Sequence, residues 1–411
     1  MPPPVKFEEV HRTVQLRTSF RYLAPPARLH AGAGSISQIY SEAQRVGAKR
    51  AFIVASNTLS RTTNLVDKVR EALREFYVGT FDGAKKESPI PTVMAGVDAV
   101  KAAKPDLIVA IGGGSAVITA RAITIIVGEG KSIEEMYTKH IPGQAPLVYR
   151  ADKPKIPNIL VNTTPTTGAD RGGAAVYDVV APHRKELYDP KTRPLALIAD
   201  PEALLTAPDD LYFTTSLGTL SLGSLQQPDL TPLSFADYRQ AHELAFVNLP
   251  KLRDNPKDGE ARLQLFIACY LINRASQSTY NIQGRNKTTG LGRQVRYMYP
   301  EIDQGMVGAA MLVAHMRINQ EIMTEGQARL AEVLGVRRPG MSDMEAAEAA
   351  IAYVAAFQNA LGLSTRLRDL GVKKEDFRKL AELDVAEPGF GQGMNRVTDI
   401  DELIGILEMS W

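Results

Sequence analysis

Two hydrophobic textures divide the chain. In the first half, short unbroken apolar runs alternate with longer segments whose apolar residues recur every three or four positions. The runs are rich in β-branched residues and predict buried strands; the spaced segments predict amphipathic helices. KRAFIVAS (49–56) is such a run, followed by the helical stretch NLVDKVREALREF. YVGTF predicts a second strand, ending at Asp82-Gly83. A helix across VMAGVDAVKAAK leads into DLIVAIGGGS (106–115), where a strand runs directly into three glycines and a serine. NILVNTTPTTG (158–168) is a further strand, closed by threonines. Strands separated by helices of this length predict a parallel sheet covered on both faces.

Beyond about Pro208 the texture is helical. FIACYLINRAS, GMVGAAMLVAHMRIN, DMEAAEAAIAYVAAFQNALG and DIDELIGILEM all carry apolar residues at helical spacing. Ser342 is placed to cap one of these helices, and Thr398 or Asp399 the last. The expected organisation is an α/β domain over residues 1–208 and an all-helical domain over 209–411, with a ligand cleft between them.

Composition narrows the function. A chain of 411 residues, 44% apolar, is long enough for two cores. Its 48 basic and 46 acidic residues leave a net charge of +2 without any block of like charge, which argues against a nucleic-acid or membrane-surface protein. The opening MPPPVKFEEVHR is unlike a signal peptide and no run of 18 apolar residues exists, so a soluble, cytoplasmic protein is expected. The single cysteine, Cys269, excludes an intramolecular disulfide and a cysteine-cluster metal site, and reads as a small core residue. Only six histidines are present: His11, His30, His140, His183, His242 and His315.

Two loops carry candidate chemistry. Gly112, Gly113, Gly114 and Ser115 follow a strand and open a helix, where backbone N–H groups can approach a pyrophosphate. Alone, that pattern is equally a tight turn. Thr163-Thr164-Pro165-Thr166-Thr167 closes a neighbouring strand with hydroxyls suited to a ribose or an amide, and alone reads equally as a solvated turn. Together they stand at the strand ends where open α/β sheets place ligands.

With these motifs in this order, the sequence resembles the iron-containing (group III) alcohol dehydrogenases of the dehydroquinate synthase-like fold. RLHAGAGSISQI is similar to the family's opening strand-and-glycine segment, DLIVAIGGGS to its diphosphate loop and NTTPTTG to its nicotinamide-side loop. RPLALIADPEALLTAPDDL, GLSTRLRDLGVKKEDFRKLAE and MNRVTDIDELIGILEM extend the resemblance to the end of the chain. It implies a Rossmann-like domain binding NAD or NADP, a helical domain holding a catalytic metal, a small-molecule substrate and, as is common for this fold, a homodimer. Ser56, Ser88, Gly112, Gly113, Gly114, Ser115, Thr163, Thr164 and Thr167 are its implied coenzyme-binding residues.

The departures are as informative. Where the family has its metal-binding Asp and three His, this chain has Gly218, Leu222, Arg293 and Gln304. None is an ordinary ligand of Fe²⁺ or Zn²⁺, so neither metal is expected. The family's diphosphate motif continues with an Asp and a Lys; here the acid is missing and Arg121 takes the lysine position. After TTPTT this chain reads GADRGG, which sets Asp170 and Arg171 near the expected pocket mouth. The ribose-binding acid after the first strand is replaced by Ser56, with Asn57 next, so a 2′-phosphate is not repelled there and NADP stays open.

A guanidinium can stabilise an oxyanion without a metal. Arg293 stands at a former ligand position, Tyr297 one helical turn on, and Gln304 beyond; these are the candidate catalytic residues. Arg293 has an alternative role, tying helices together through Asp303 or Glu301. Arg285 and Arg296 read as surface cations, and His242, beside Glu243, as a surface histidine. The polar lead-in of Asn281, Gln283, Asn286 and Lys287 suits either a polar substrate or a buried polar network. The expected function is a metal-independent NAD(P)-dependent oxidoreductase on a polar or anionic carbonyl or alcohol. The alternatives are a lyase, isomerase or hydrolase on the same fold, or a non-catalytic homologue.

Overall fold

Eight strands follow one another along the described chain: β1 (Arg28–Ala31), β2 (Ala51–Ser56), β3 (Tyr77–Ala84), β4 (Leu107–Gly112), β5 (Asn158–Asn162), β6 (Gly173–Tyr177), β7 (Arg184–Tyr188) and β8 (Ala196–Ala199). The structure is a computed structural model that describes residues 19–20, 22, 27–141, 146–220, 230–276, 289–387 and 396–411. Six strands form one parallel sheet in the order β1-β8-β5-β4-β2-β3, while β6 and β7 make a separate antiparallel pair.

The unbroken apolar runs are explained by burial on both faces. β4 and β5 are buried along their whole length. Ala51, Ile53, Leu107, Val109, Ile111, Ile159, Val161 and Ile198 point to one face, where Ile39, Ala43, Leu65, Val69 and Leu73 meet them from helices Gln38–Arg45 and Leu65–Leu73. The alternate residues face helices Ile90–Ala103 and Gly114–Glu129. Each fully buried Val, Leu or Ile contributes about 1.5–3 kcal/mol of transfer free energy. β3 runs on past the expected stop at Asp82-Gly83 to Ala84, because Gly83 pairs with Ser56 instead of turning. In the β6–β7 pair buried residues alternate with half-buried or exposed ones, and β7 (RKELY) has no unbroken apolar run to announce it.

From β2 the chain moves outward to β3, whereas from β4 it moves the other way to β5. The order therefore reverses between β2 and β4, which is the position where open α/β sheets hold ligands beyond the carboxyl ends of their strands.

The chain divides into two compact units. Pro25–Ser216 together with Lys251–Tyr270 form the sheet-bearing unit; Leu217–Pro250 and Leu271–Trp411 belong to the other. In the second unit, every described element is helical. Helices Leu291–Met298, Gln304–Ile318, Phe377–Ala386 and Ile400–Met409 share one core, built around Leu291, Val295, Met311, Leu380 and Leu403. Ser342 closes a capping box with Glu345, and Asp399 rather than Thr398 accepts the Glu402 N–H at 2.8 Å.

Candidate functional site

The glycine loop and the threonine loop are neighbours at the reversal of the sheet. Gly112 is in register with Asn162, and Thr163 N–H donates to Gly112 O at 3.1 Å. Gly112 has φ +143°, which side-chain-bearing residues rarely adopt, and an added Cβ there meets the Ala116 Cβ at 2.8 Å. Gly113 is the N-cap of the 16-residue helix Gly114–Glu129; its added Cβ would lie 2.7 Å from Thr164 Oγ1. Both positions exclude side chains, which leaves the first N–H groups of the helix reachable by an anion.

Around this cradle the candidate hydroxyls have definite partners. Thr164 and Thr166 Oγ1 atoms are 3.2 Å apart, and Thr167 is exposed. Ser115 Oγ accepts the Glu87 N–H at 3.2 Å. Ser88 is fully buried; its hydroxyl donates to Ser115 O at 2.9 Å and receives Thr119 Oγ1 at 3.0 Å. Ser88 thus supports the helix start from beneath, with Glu87 and Ser88 both in the left-handed region. Ser56 spends its Oγ as an N-cap, accepting the Leu59 N–H at 3.3 Å.

Asn162 is fully buried, and neither polar atom of its carboxamide has a hydrogen-bond partner. Leaving such a group unsatisfied costs about 1–3 kcal/mol, so a polar ligand group reaching it would be favoured. A glycine cradle, a long helix N-terminus and an orphaned amide at one switch point fit the diphosphate of a dinucleotide. Sequence reasoning missed Asn162, although a polar residue closing the apolar run Ile159-Leu160-Val161 was its signal.

Arg121 does not face that cradle. It is 1% exposed and grips the segment after the threonines from inside, donating through Nη1 to Gly168 O at 2.5 Å and through Nη2 to Ala169 O. Burial brings it down to about 9, with Asp170 acting in the opposite direction. Asp170 is itself buried rather than at a pocket mouth, and burial raises its pKa against the pull of Arg171, Arg193 and Arg121. Cys269 is a core residue, pushed up to about 12 by burial and by Asp170.

In the helical unit, the residues at the family's metal positions do not make a donor set. Gly218 lies in the 3₁₀ turn Leu217–Leu220 and has no side chain to offer; Leu222 lies outside the described residues. Gln304 is exposed, and its Oε1 accepts from Arg296 Nη1 at 3.2 Å in an exposed hydrogen bond. Among the described residues no group of three or more His, Cys, Asp or Glu could hold a metal ion. A divalent cation does not fit Gly218, Arg293 and Gln304.

Arg293 and Tyr297 sit one turn apart on helix Leu291–Met298. Arg293 Nη2 donates to Glu387 O at 2.6 Å. Arg396 donates to Asp384 O, and Asp384 Oδ2 accepts the Gly290 N–H at 3.0 Å. Both arginines thus meet carbonyls at the carboxyl end of helix Phe377–Ala386, where the helix dipole favours cations. Burial lowers the Arg396 pKa; Asp384 raises it and Arg293 lowers it further.

His242 is fully buried, not at the surface: burial pushes it down to about 4, against a hydrogen bond with the Thr219 backbone, and it is neutral at pH 7. Burial likewise pushes His315 down to about 4. Asn281, Gln283, Arg285, Asn286 and Lys287 lie outside the described residues.

Comparison with known proteins agrees with this architecture. Residues 26–201 match the model of the iron-containing alcohol dehydrogenases, and residues 229–411 match that of the Fe-containing alcohol dehydrogenase family, C-terminal. The chain is 29% identical over 392 residues to an NAD-dependent methanol dehydrogenase of Bacillus methanolicus, covering 94% of this chain and 98% of that one. It is 24% identical over 387 residues to the lactaldehyde reductase of Escherichia coli K12, covering 92% and 97%. In fold it is similar to a crystal structure of 1,3-propanediol oxidoreductase (TM-score 0.82, 24% identity, 96% and 100% covered). It is also similar to a maleylacetate reductase of Agrobacterium tumefaciens (TM-score 0.73, 20% identity, 96% and 99% covered). No described helix is long and apolar enough to cross a membrane. The chain belongs to the iron-containing alcohol dehydrogenase family, a family of alcohol- and aldehyde-type oxidoreductases.

Proposed function

We propose that this protein is a metal-independent NAD(P)-dependent oxidoreductase acting on a polar or anionic carbonyl compound or the corresponding alcohol. The observation that carries the reading is the cradle at the switch point: two side-chain-free glycines before a 16-residue helix, with the orphaned Asn162 beside them. The bound nicotinamide would supply or accept the hydride. Gly113 and Gly114 N–H groups bind the diphosphate, helped by the partial positive charge of the helix start. Ser88 and Thr119 hold that start in place through the Ser115 carbonyl. Arg121 fixes the loop that follows the threonines, so Thr164 and Thr166 present their hydroxyls from a set backbone.

For the substrate oxygen we assign Arg293, with Tyr297 and Gln304. A guanidinium supplies a permanent positive charge and a fork of N–H donors for an oxyanion or a carboxylate. The Glu387 carbonyl occupies one arm of that fork and orients the rest. Without a divalent ion at Gly218, Arg293 and Gln304, no deprotonated ligand set is required, and activity should be insensitive to chelators.

The test is binding first, turnover second. Calorimetry with NADH and NADPH on the purified chain should show saturable binding. Loss of nicotinamide absorbance should then follow with a polar aldehyde or keto acid, unchanged by EDTA. Absence of binding by both coenzymes at millimolar concentration overturns the proposal. Chelator-sensitive activity restored by Fe²⁺ overturns its metal-independent part.

A further inference from the structure

The loss of an acid at the end of β2 leaves coenzyme choice open when the sequence is read alone. The sheet, however, sets β3 beside β2 in parallel, with Ser56 in register with Gly83 and Ala84. That pairing brings Asp82 to the carboxyl end of its neighbour, where Asn57 Nδ2 donates to Asp82 Oδ2 at 3.1 Å. Asp82 is half-buried and Asn57 exposed, so the pair faces solvent beside the β2–β4 switch point. Ser56 cannot fill the role itself, because its hydroxyl, which caps the following helix, carries no charge to repel a 2′-phosphate.

We infer that Asp82, oriented by Asn57, is the coenzyme-selecting residue: it accepts a hydroxyl of the adenosine ribose and disfavours a 2′-phosphate, so the protein prefers NAD to NADP. The inference rests on the dinucleotide reading above and adds the residue and the direction of choice. A carboxylate that already takes one N–H on Oδ2 keeps Oδ1 for a ribose O–H. The same negative charge repels a phosphate placed at that hydroxyl, at a partly exposed site where screening is incomplete. In the Rossmann arrangement, an acid near the end of the strand beside the glycine-loop strand does this work. Here the acid comes from the next strand along, which only the pairing of β2 with β3 makes apparent.

The experiment is calorimetric titration of NADH and NADPH into the wild-type chain, Asp82→Asn, and the double variant Asp82→Ser/Asn57→Arg. Wild type should bind NADH at least about tenfold more tightly than NADPH, a difference of about 1.4 kcal/mol. Asp82→Asn should narrow that ratio, chiefly by tightening NADPH, and the double variant should reverse it. Thermal midpoints within a few degrees of wild type show that each variant is folded. Tight NADH binding with a ratio untouched by Asp82→Asn overturns the assignment of Asp82 while leaving the coenzyme reading intact. A wild-type preference for NADPH, as the exposed Lys85 and Lys86 beyond β3 could produce, overturns it as well. Failure of either dinucleotide to bind wild type overturns the coenzyme reading and this inference with it.

Discussion

The closest approach in the candidate site is the one between the glycine and threonine loops, and it can be tested as a thermodynamic cycle. Replacing Gly113 by Ala puts a methyl group 2.7 Å from Thr164 Oγ1, 3.5 Å from its Cγ2 and 3.7 Å from its Cβ. Only the first contact is a clash. Forcing a methyl into a packed site of this kind costs about 1–3 kcal/mol. Thr164→Ala alone removes the hydroxyl that faces Thr166 Oγ1, at a cost of about 1 kcal/mol. It also removes the clashing atom, since the remaining Cβ is at ordinary contact distance. The double variant Gly113→Ala/Thr164→Ala should therefore be more stable than the two single effects added together, with a coupling of about 1–2 kcal/mol. Urea denaturation of the four proteins measures this directly. Gly114→Ala is the contrast: its methyl meets only Thr166 Cγ2 at 3.7 Å, so stability should hold or rise while NADH binding weakens. Additive single effects would show that the loops are not packed as described. An undiminished NADH affinity in Gly114→Ala would show that the coenzyme does not lie on this helix start.

Three further outcomes are expected. Lys155→Met should destabilise the fold by about 3–5 kcal/mol in denaturant titrations, because the Lys155 side chain is buried between Glu129 and Asp189; its removal takes that cation from Glu129 and leaves Asp189 with the more distant Lys191 at 3.7 Å. His242 is held neutral by burial, with its pKa lowered from 6.5 to about 4, so the unfolded chain takes up the proton first. Its share of stability is complete above pH 6.5 and is lost as pH falls toward 4, by about 3 kcal/mol in all, and His242→Gln should flatten that limb of a stability–pH curve. Arg293→Lys should lower kcat/KM by about tenfold or more while coenzyme affinity by calorimetry stays within twofold, since a lysine keeps the charge but loses the fork. Equal losses in both would move Arg293 out of the substrate role.

Much of the α/β half was legible because its strands are buried on both faces. A run such as LIVAIG or NILVN has no solvent-facing residue to break it, and the glycines or threonines that end it mark the loops directly. The hairpin of β6 and β7 was not legible, since β6 (GAAVY) is short and follows glycines, and β7 (RKELY) is mostly polar. Helix caps at Ser342 and Asp399 were readable because capping is a local hydrogen bond between residues three apart. His242 was misread for the opposite reason. A histidine beside a glutamate on a helix is polar by type, and only the packing of distant elements decides that it faces inward.

The candidate site divides in the same way. Residue types alone led to the expectation of no family metal site, because Gly218, Leu222, Arg293 and Gln304, the residues the resemblance sets at its positions, are not ordinary metal donors. They also determined that two ligand-suited loops close adjacent apolar runs. Tertiary structure decided which charges serve the site and which serve the scaffold. Arg121 and Asp170 turned inward under the threonine loop, Arg293 took the end of another helix, and Asp82 arrived beside Asn57 from a neighbouring strand. A one-dimensional pattern records what each residue can do within a few positions of itself. Parallel pairing joins residues 25 positions apart in Asn57 and Asp82, and helix packing joins residues 94 apart in Arg293 and Glu387. Partners at such separations carry no local periodicity, so their roles exist only once the chain has folded.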